Sequence, residues 1–227
     1  MSAPLLVFDL DGTLLETAPD LVGSLNSVLE KEGLKSIPIQ TARTYIGQGA
    51  RMMIELGFKA NQLSISHEEI EALVPGFLEI YEARISLKTH AFPNLLEVLD
   101  ELSEGGWQFA VCTNKMERLA RILLEDLNLT DRFVAITGGD TFENKKPHPD
   151  HILKTIALTD SLPERSIMVG DSASDINAAK AADVPVIAVD FGYTPVHVSE
   201  LNPDIVISSF NELHSAIEVV RPGLLSN

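Results

Sequence analysis

The chain predicts an α/β protein: a doubly wound parallel sheet with a helical insertion directly after its first strand. Three observations carry that expectation. From Phe92 onward, short apolar runs alternate with helix-period segments, the order that builds a parallel sheet with right-handed crossovers. Residues 16–90 keep helical periodicity without strand-like alternation. The expected strands end in polar clusters rich in Asp, Asn, Thr and Lys, on the edge where sheets of this kind bind ligands.

The elements follow in order. Residues 5–8, Leu-Leu-Val-Phe, read as a strand buried on both faces. Leu21, Val22, Leu25, Val28 and Leu29 recur at helical spacing, and Gly33 is a stop signal. Further helical segments are expected near 40–47, 50–57 and 67–87, so this block is a small bundle or lid. A helix over 93–103 ends at Gly105-Gly106, before a strand at 107–112. Helix 116–128 leads to strand 133–136, and helix 149–158 to strand 166–170. Helix 174–182 precedes strand 184–189, and a sixth strand at 204–207 leads to a last helix near 210–220. The sum is a Rossmann-like core of residues 1–15 and 91–227 with residues 16–90 inserted as a separate domain.

Composition narrows the function. The chain of 227 residues is 45% apolar, a globular composition, and carries a formal net charge of −16. That charge argues against nucleic acid and anionic membrane surfaces, which need a basic footprint. A single cysteine, Cys112, precludes an internal disulfide and fits a reducing, cytoplasmic setting. No apolar run approaches a membrane span, and the first residues lack the features of a secretory leader. Asn128-Leu-Thr130 matches a glycosylation acceptor and is read as chance. The expected partner is a small molecule, bound by a monomer or homodimer.

Each strand tip has an ordinary explanation. Asp11-Gly12 suits a turn, Thr113 or Asn114 a helix N-cap, and Asp175 a first-turn acid. One chemistry explains them together. Asp9, Asp11, Asp171 and Asp175 converging on one crevice repel one another unless a hard cation such as Mg²⁺ sits among them. Gly12 lets backbone N–H groups approach a phosphate. Lys146 supplies a second positive charge, and Thr113 and Asn114 can donate to phosphoryl oxygens. One carboxylate can then attack phosphorus and form an aspartyl phosphate. Gly47-Gln48-Gly49 follows helical sequence and lacks a third glycine, so it is not a dinucleotide fingerprint.

Four segments carry a resemblance. Phe8-Asp9-Leu10-Asp11-Gly12-Thr13-Leu14, Thr113-Asn114, Lys146 before Pro147-His148-Pro149, and Gly170-Asp171-Ser172-Ala173-Ser174-Asp175 resemble, in order, the four motifs of the haloacid dehalogenase superfamily. Within it the chain is similar to the phosphoglycolate phosphatases. The resemblance implies Asp9 as nucleophile and Asp11 as general acid, then base. It implies Mg²⁺ held by Asp9, the Asp11 carbonyl and Asp171, with Asp175 as a ligand or just behind one, and Lys146 orienting Asp9. An acid at Asp11 implies phosphate esters rather than haloacids or phosphonates. Residues 16–90 would be the family's cap. There Ile46-Gly47-Gln48-Gly49-Ala50-Arg51 resembles a substrate-specificity segment, with Arg51 as a fork for a substrate carboxylate or, otherwise, a surface arginine. Gln48 departs from the asparagine usual at that position. His90 carries no role and reads as a packing or loop histidine.

The expected activity is Mg²⁺-dependent hydrolysis of a small phosphate ester, first of all 2-phosphoglycolate. Two alternatives stand beside it. One is a phosphatase or phosphomutase of the same superfamily acting on a sugar phosphate or pyrophosphate. The other is a non-catalytic metabolite-binding protein on the same fold.

Overall fold

The computed structural model describes residues 2–226. β1 (Leu5–Phe8) leads into the two-residue β2 (Leu15–Glu16) and four helices, α1 (Ala18–Lys31), α2 (Ile39–Ala42), α3 (Ala50–Ala60) and α4 (His67–Glu82). The chain returns through β3 (His90–Ala91) and then alternates as α5 (Leu95–Glu104), β4 (Gln108–Cys112), α6 (Glu117–Asp126), β5 (Ala135–Thr137), α7 (Pro149–Ala157) and β6 (Ser166–Gly170). It ends with α8 (Ala173–Ala181), β7 (Val186–Val189), β8 (Ile205–Ile207) and α9 (Leu213–Val220).

Six strands form one parallel sheet in the order β5-β4-β1-β6-β7-β8. The order reverses at β1, whose Val7 pairs with Ala110 of β4 and Met168 of β6. All four β1 side chains are fully buried, and period-two alternation divides them. Leu6 and Phe8 enter the apolar cluster with α5, α6 and α9, while Leu5 and Val7 enter the one with α7 and α8. Each such side chain contributes about 1.5–3 kcal/mol of burial. The central strand is thus locked from both faces, which fixes what stands at its tip.

The insertion packs α1 against α3 and α4. Ser66 starts α4 with a reciprocal cap: its hydroxyl accepts from Glu69 N while the Glu69 carboxylate accepts from Ser66 N at 2.8 Å. Asp20, fully buried in α1, accepts from Lys88 N, Thr89 N and Thr89 Oγ1 at 2.8, 2.8 and 2.9 Å. It fastens the start of the insertion to its returning end.

Several expected bounds shift for local reasons. Residues 16–90 are not wholly helical, because β2 and β3 pair antiparallel where the chain leaves and re-enters the core. A ribbon two residues long shows no alternation to read. The helix expected to 87 stops at Glu82 and gives way to turns closed by Arg84 N to Tyr81 O and Leu87 N to Arg84 O. β5 begins at Ala135 because a turn over Thr130–Arg132 occupies the Phe133 N–H. β7 begins after Pro185, which has no N–H to give a ladder.

Candidate active site

The crevice lies at the carboxyl ends of β1, β4 and β6, where the strand order reverses. It has a volume of about 280 Å³ and is lined by Asp9, Asp11, Thr113, Asn114, Lys115, Lys146, Asp171 and the start of α8, with Ile46, Gly47 and Gln48 reaching in from the insertion.

Asp9 extends the ladder of β1, its N–H bonding Val169 O at 2.9 Å. The next residues turn sharply: Leu14 N and Leu15 N both donate to Leu10 O, and Gly12 N donates to Leu15 O. Gly12 has φ +86, and a Cβ there would meet Asp171 Oδ2 at 2.6 Å. The glycine is required for that close approach. Its own N–H closes the turn, donating to Leu15 O at 2.9 Å.

Lys146 is 2% exposed, with Nζ 2.6 Å from Asp175 Oδ1 and 3.0 Å from Asp9 Oδ1. Burial works against this ammonium, but Asp175 and Asp9 overcome it and hold Lys146 above its ordinary range. The loop carrying it is pinned twice: Lys146 N donates to His151 Nδ1 at 3.2 Å, and Asn114 Nδ2 donates to Lys146 O at 2.9 Å. Asn114, which lines the crevice, thus gives one Nδ2 hydrogen to the loop that carries Lys146. Burial and the Lys146 charge push His151 down to about 4, so it serves this loop as a neutral imidazole.

Asp175 has both oxygens engaged, Oδ1 by Lys146 and Oδ2 by Ser172 N and Oγ at 3.0 and 2.6 Å. Asp171 accepts from Thr13 Oγ1 at 3.1 Å and from Tyr193 N at 2.6 Å. Burial, then Asp175 and Asp9, pushes Asp171 well above the usual carboxylate range. Asp9 is pushed up to about 6, burial and the neighbouring carboxylates outweighing Lys146.

These shifts express crowding. Oxygens of Asp9, Asp171 and Asp175 lie within 4.8 Å of one another, three carboxylates against one ammonium. Asp9 Oδ1 is buried, with the Lys146 ammonium 3.0 Å away. An oxygen-only set with surplus negative charge fits a hard divalent cation. Asp11 stands apart from this trio. Its carboxylate pairs with Lys115 Nζ at 2.9 and 3.0 Å.

Thr113 is 1% exposed and lines the crevice, its Oγ1 accepting from Lys115 N at 3.2 Å. Gly49 and Arg51 do not line it. Gly49 precedes α3 with φ +96, and Arg51 is an exposed residue whose Nε and Nη2 both pair with Glu71. His90 is exposed, its Nδ1 3.0 Å from Lys88 O.

Tyr193 was not legible in the sequence. Its hydroxyl accepts from Thr17 N and Ala18 N and donates to Glu16 at 2.7 Å. Arg43 of the insertion stands over its ring at 4.7 Å and also binds Glu16 and Phe191 O. The signal that would have found Tyr193 is its place just beyond β7, on the ligand-binding edge of the sheet.

Comparison with known proteins agrees with this geometry. Residues 6–189 match the model of the haloacid dehalogenase-like hydrolases. The chain is 45% identical over 213 residues to a phosphoglycolate phosphatase of Mesorhizobium japonicum, covering 94% of each chain. It is 46% identical over 215 residues to one of Agrobacterium fabrum, covering 95% of this chain and 92% of that one. A solved structure described as a predicted phosphoglycolate phosphatase from Haemophilus somnus superposes with a TM-score of 0.87 at 27% identity, over 95% of this chain and 98% of that one. The motifs, the sheet that gathers their side chains at one edge, and a family match spanning most of the chain have one meaning: the chain belongs to the haloacid dehalogenase-like hydrolases.

Proposed function

We propose that this phosphoric monoester hydrolase is Mg²⁺-dependent, works through an aspartyl phosphate on Asp9, and takes 2-phosphoglycolate as its substrate. The observation that carries the mechanism is Asp9 at the tip of the locked central strand, its Oδ1 3.0 Å from Lys146 and its carboxylate grouped with those of Asp171 and Asp175. The substrate reading is supported by relatives of 45% and 46% identity that are named phosphoglycolate phosphatases.

Asp9, Asp171 and the Asp11 carbonyl would hold the cation, with Asp175 behind them. Bound Mg²⁺ supplies positive charge where the phosphoryl oxygens gather. An Asp9 carboxylate oxygen attacks phosphorus as the ester P–O bond breaks, and the Asp11 carboxyl gives its proton to the departing oxygen. Lys146 fixes Asp9 for that attack, and Thr113 faces the phosphoryl group. In the second half Asp11 takes a proton from water, the water oxygen bonds phosphorus, and the phosphorus–Asp9 bond breaks to release inorganic phosphate. Residues 16–90 act as a cap that excludes bulk water, with Gly47 and Gln48 over the crevice. Cys112 is a buried free thiol, which supports a cytoplasmic setting.

The test is phosphate release from a panel of small phosphate esters, with Mg²⁺ and with chelator. The expected result is a kcat/KM preference for 2-phosphoglycolate that vanishes on chelation, and no turnover by Asp9→Asn. Turnover by a folded Asp9→Asn protein overturns the nucleophile, and a preference for another ester overturns the substrate.

A further inference from the structure

We propose that Lys115 is the specificity residue of this crevice, binding an anionic group that the substrate carries on the carbon next to the scissile ester oxygen. The inference rests on the phosphatase reading above and names what that site selects.

Among the described residues that line the crevice, the cations are Lys115 and Lys146. Lys146 is enclosed between Asp9 and Asp175 and belongs to the phosphoryl end. Arginines nearby are committed elsewhere, Arg43 to Glu16 and Phe191 O, and Arg51 to Glu71. The rest of the charged lining is carboxylate: Asp9, Asp11, Asp171 and Asp175. A second negative charge on the substrate is repelled everywhere in this crevice except beside Lys115.

Its surroundings suit the task. The backbone of Lys115 is fixed, N donating to Thr113 Oγ1 and O accepting from Gly139 N at 2.8 Å. The side chain is 6% exposed. Nζ stands 4.7 Å from the ring centroid of Tyr81, a residue of α4 in the insertion. The Tyr81 hydroxyl is buried beside that ammonium, and its own O–H has no acceptor there. The recognition point is therefore built from core and insertion together.

Geometry sets the substrate class. Asp11 must come within about 3 Å of the ester oxygen to act on it. Lys115 Nζ lies 2.9 and 3.0 Å from the Asp11 oxygens. Those two distances together keep Nζ within about 6 Å of the ester oxygen. A carboxylate one carbon from that oxygen falls inside this reach, whereas the far end of a sugar phosphate does not. In the free enzyme Lys115 occupies both oxygens of Asp11. A substrate carboxylate that draws the ammonium to itself leaves Asp11 open toward the ester. An ester without that charge leaves the pair closed, so discrimination arises from exchange of one ion-pair partner.

The experiment compares 2-phosphoglycolate with ethyl phosphate, which matches it in chain length and lacks the carboxylate. Steady-state kinetics with Mg²⁺ are measured for the unaltered enzyme and for Lys115→Met, whose folding is checked by circular dichroism. The unaltered enzyme is expected to favour 2-phosphoglycolate in kcat/KM by about tenfold or more, the order of one charge-assisted hydrogen bond. In Lys115→Met that ratio collapses toward one, mainly through KM for 2-phosphoglycolate. A ratio unchanged in the variant, with both esters falling together or neither falling, overturns the proposal and leaves Lys115 as a structural partner of Asp11. An unaltered enzyme that does not distinguish the esters overturns it without any variant. Both of these outcomes leave chelator-sensitive phosphate release intact, so the phosphatase reading survives them. Release from neither ester overturns that reading and this one with it.

Discussion

Lys146 Nζ lies 2.6 Å from Asp175 Oδ1, closer than the 3.0 Å that separates it from the nucleophile candidate Asp9. The lysine is held by the acid behind it and offered to the acid in front. Asp175 is itself held by Ser172, whose N–H and hydroxyl both reach its second oxygen. Removing the rear anchor therefore damages both stability and chemistry.

Asp175→Asn is expected to lower kcat by about a hundredfold, the order seen when one preorganised electrostatic partner is lost. It is also expected to cost roughly 3–5 kcal/mol, because the variant leaves a buried ammonium half-paired. Steady-state kinetics and denaturant melts measure the two effects separately. Full kcat in Asp175→Asn refutes the positioning role.

Metal-free protein should lose stability as pH rises from about 4 to about 6. Asp9 is raised from 3.8 to about 6 in the fold, and Asp171 is raised as well. In that window the unfolded chain has released protons that the folded chain still holds, so folding stability falls with pH. The Asp9 shift alone amounts to roughly 3 kcal/mol. Mg²⁺ would bind the ionised carboxylates, so its stabilisation should be larger at pH 7.5 than at pH 5. Thermal melts with and without Mg²⁺ at both pH values test this, and an equal shift at both contradicts it.

Gly12→Ala should weaken metal binding more than it weakens folding. The added Cβ would meet Asp171 Oδ2 at 2.6 Å and Tyr193 Cδ2 at 2.8 Å, on a backbone at φ +86. Strain of this kind costs about 1–3 kcal/mol, and it falls on a carboxylate expected to hold the cation. Mg²⁺ titration followed by calorimetry should give at least about tenfold weaker binding, the equivalent of 1.4 kcal/mol.

Arg51→Ala should leave kcat/KM for 2-phosphoglycolate within about twofold, as expected of an exposed surface pair. Its guanidinium pairs with Glu71 outside the crevice. A loss of tenfold or more would show that Arg51 leaves Glu71 to reach the substrate.

The strand tips were legible because a buried strand that releases Asp9, or a loop that releases Asp171 and Asp175, has no bland reason to do so at every tip of one edge. Alternation from Phe92 gave the sheet for the same reason: burial on both faces leaves continuous apolar runs. Tyr193, Thr13 and His151 were not legible as site residues. Their contributions are single hydrogen bonds to Asp171 or to Lys146 N, and a hydrogen bond across 158 positions, as from Thr13 to Asp171, leaves no period in the chain. Arg51 is ambiguous in the sequence because a guanidinium suits a substrate carboxylate and a surface acid equally well, and the fold pairs it with Glu71. Lys115 stands beside a motif, and only the fold shows that both oxygens of Asp11 accept from its Nζ.

The ribbon formed by Leu15–Glu16 and His90–Ala91 brings the two crossings of the chain side by side. Asp20 braces the same place with three hydrogen bonds from Lys88 and Thr89. Arg43 ties the same corner, reaching Glu16 of the ribbon and Phe191 O of the core, and a few residues further on Gly47 and Gln48 stand over the crevice. What covers Asp9 is thus moored to the place where the chain crosses, so a change in the ribbon is expected to be felt at the mouth of the crevice.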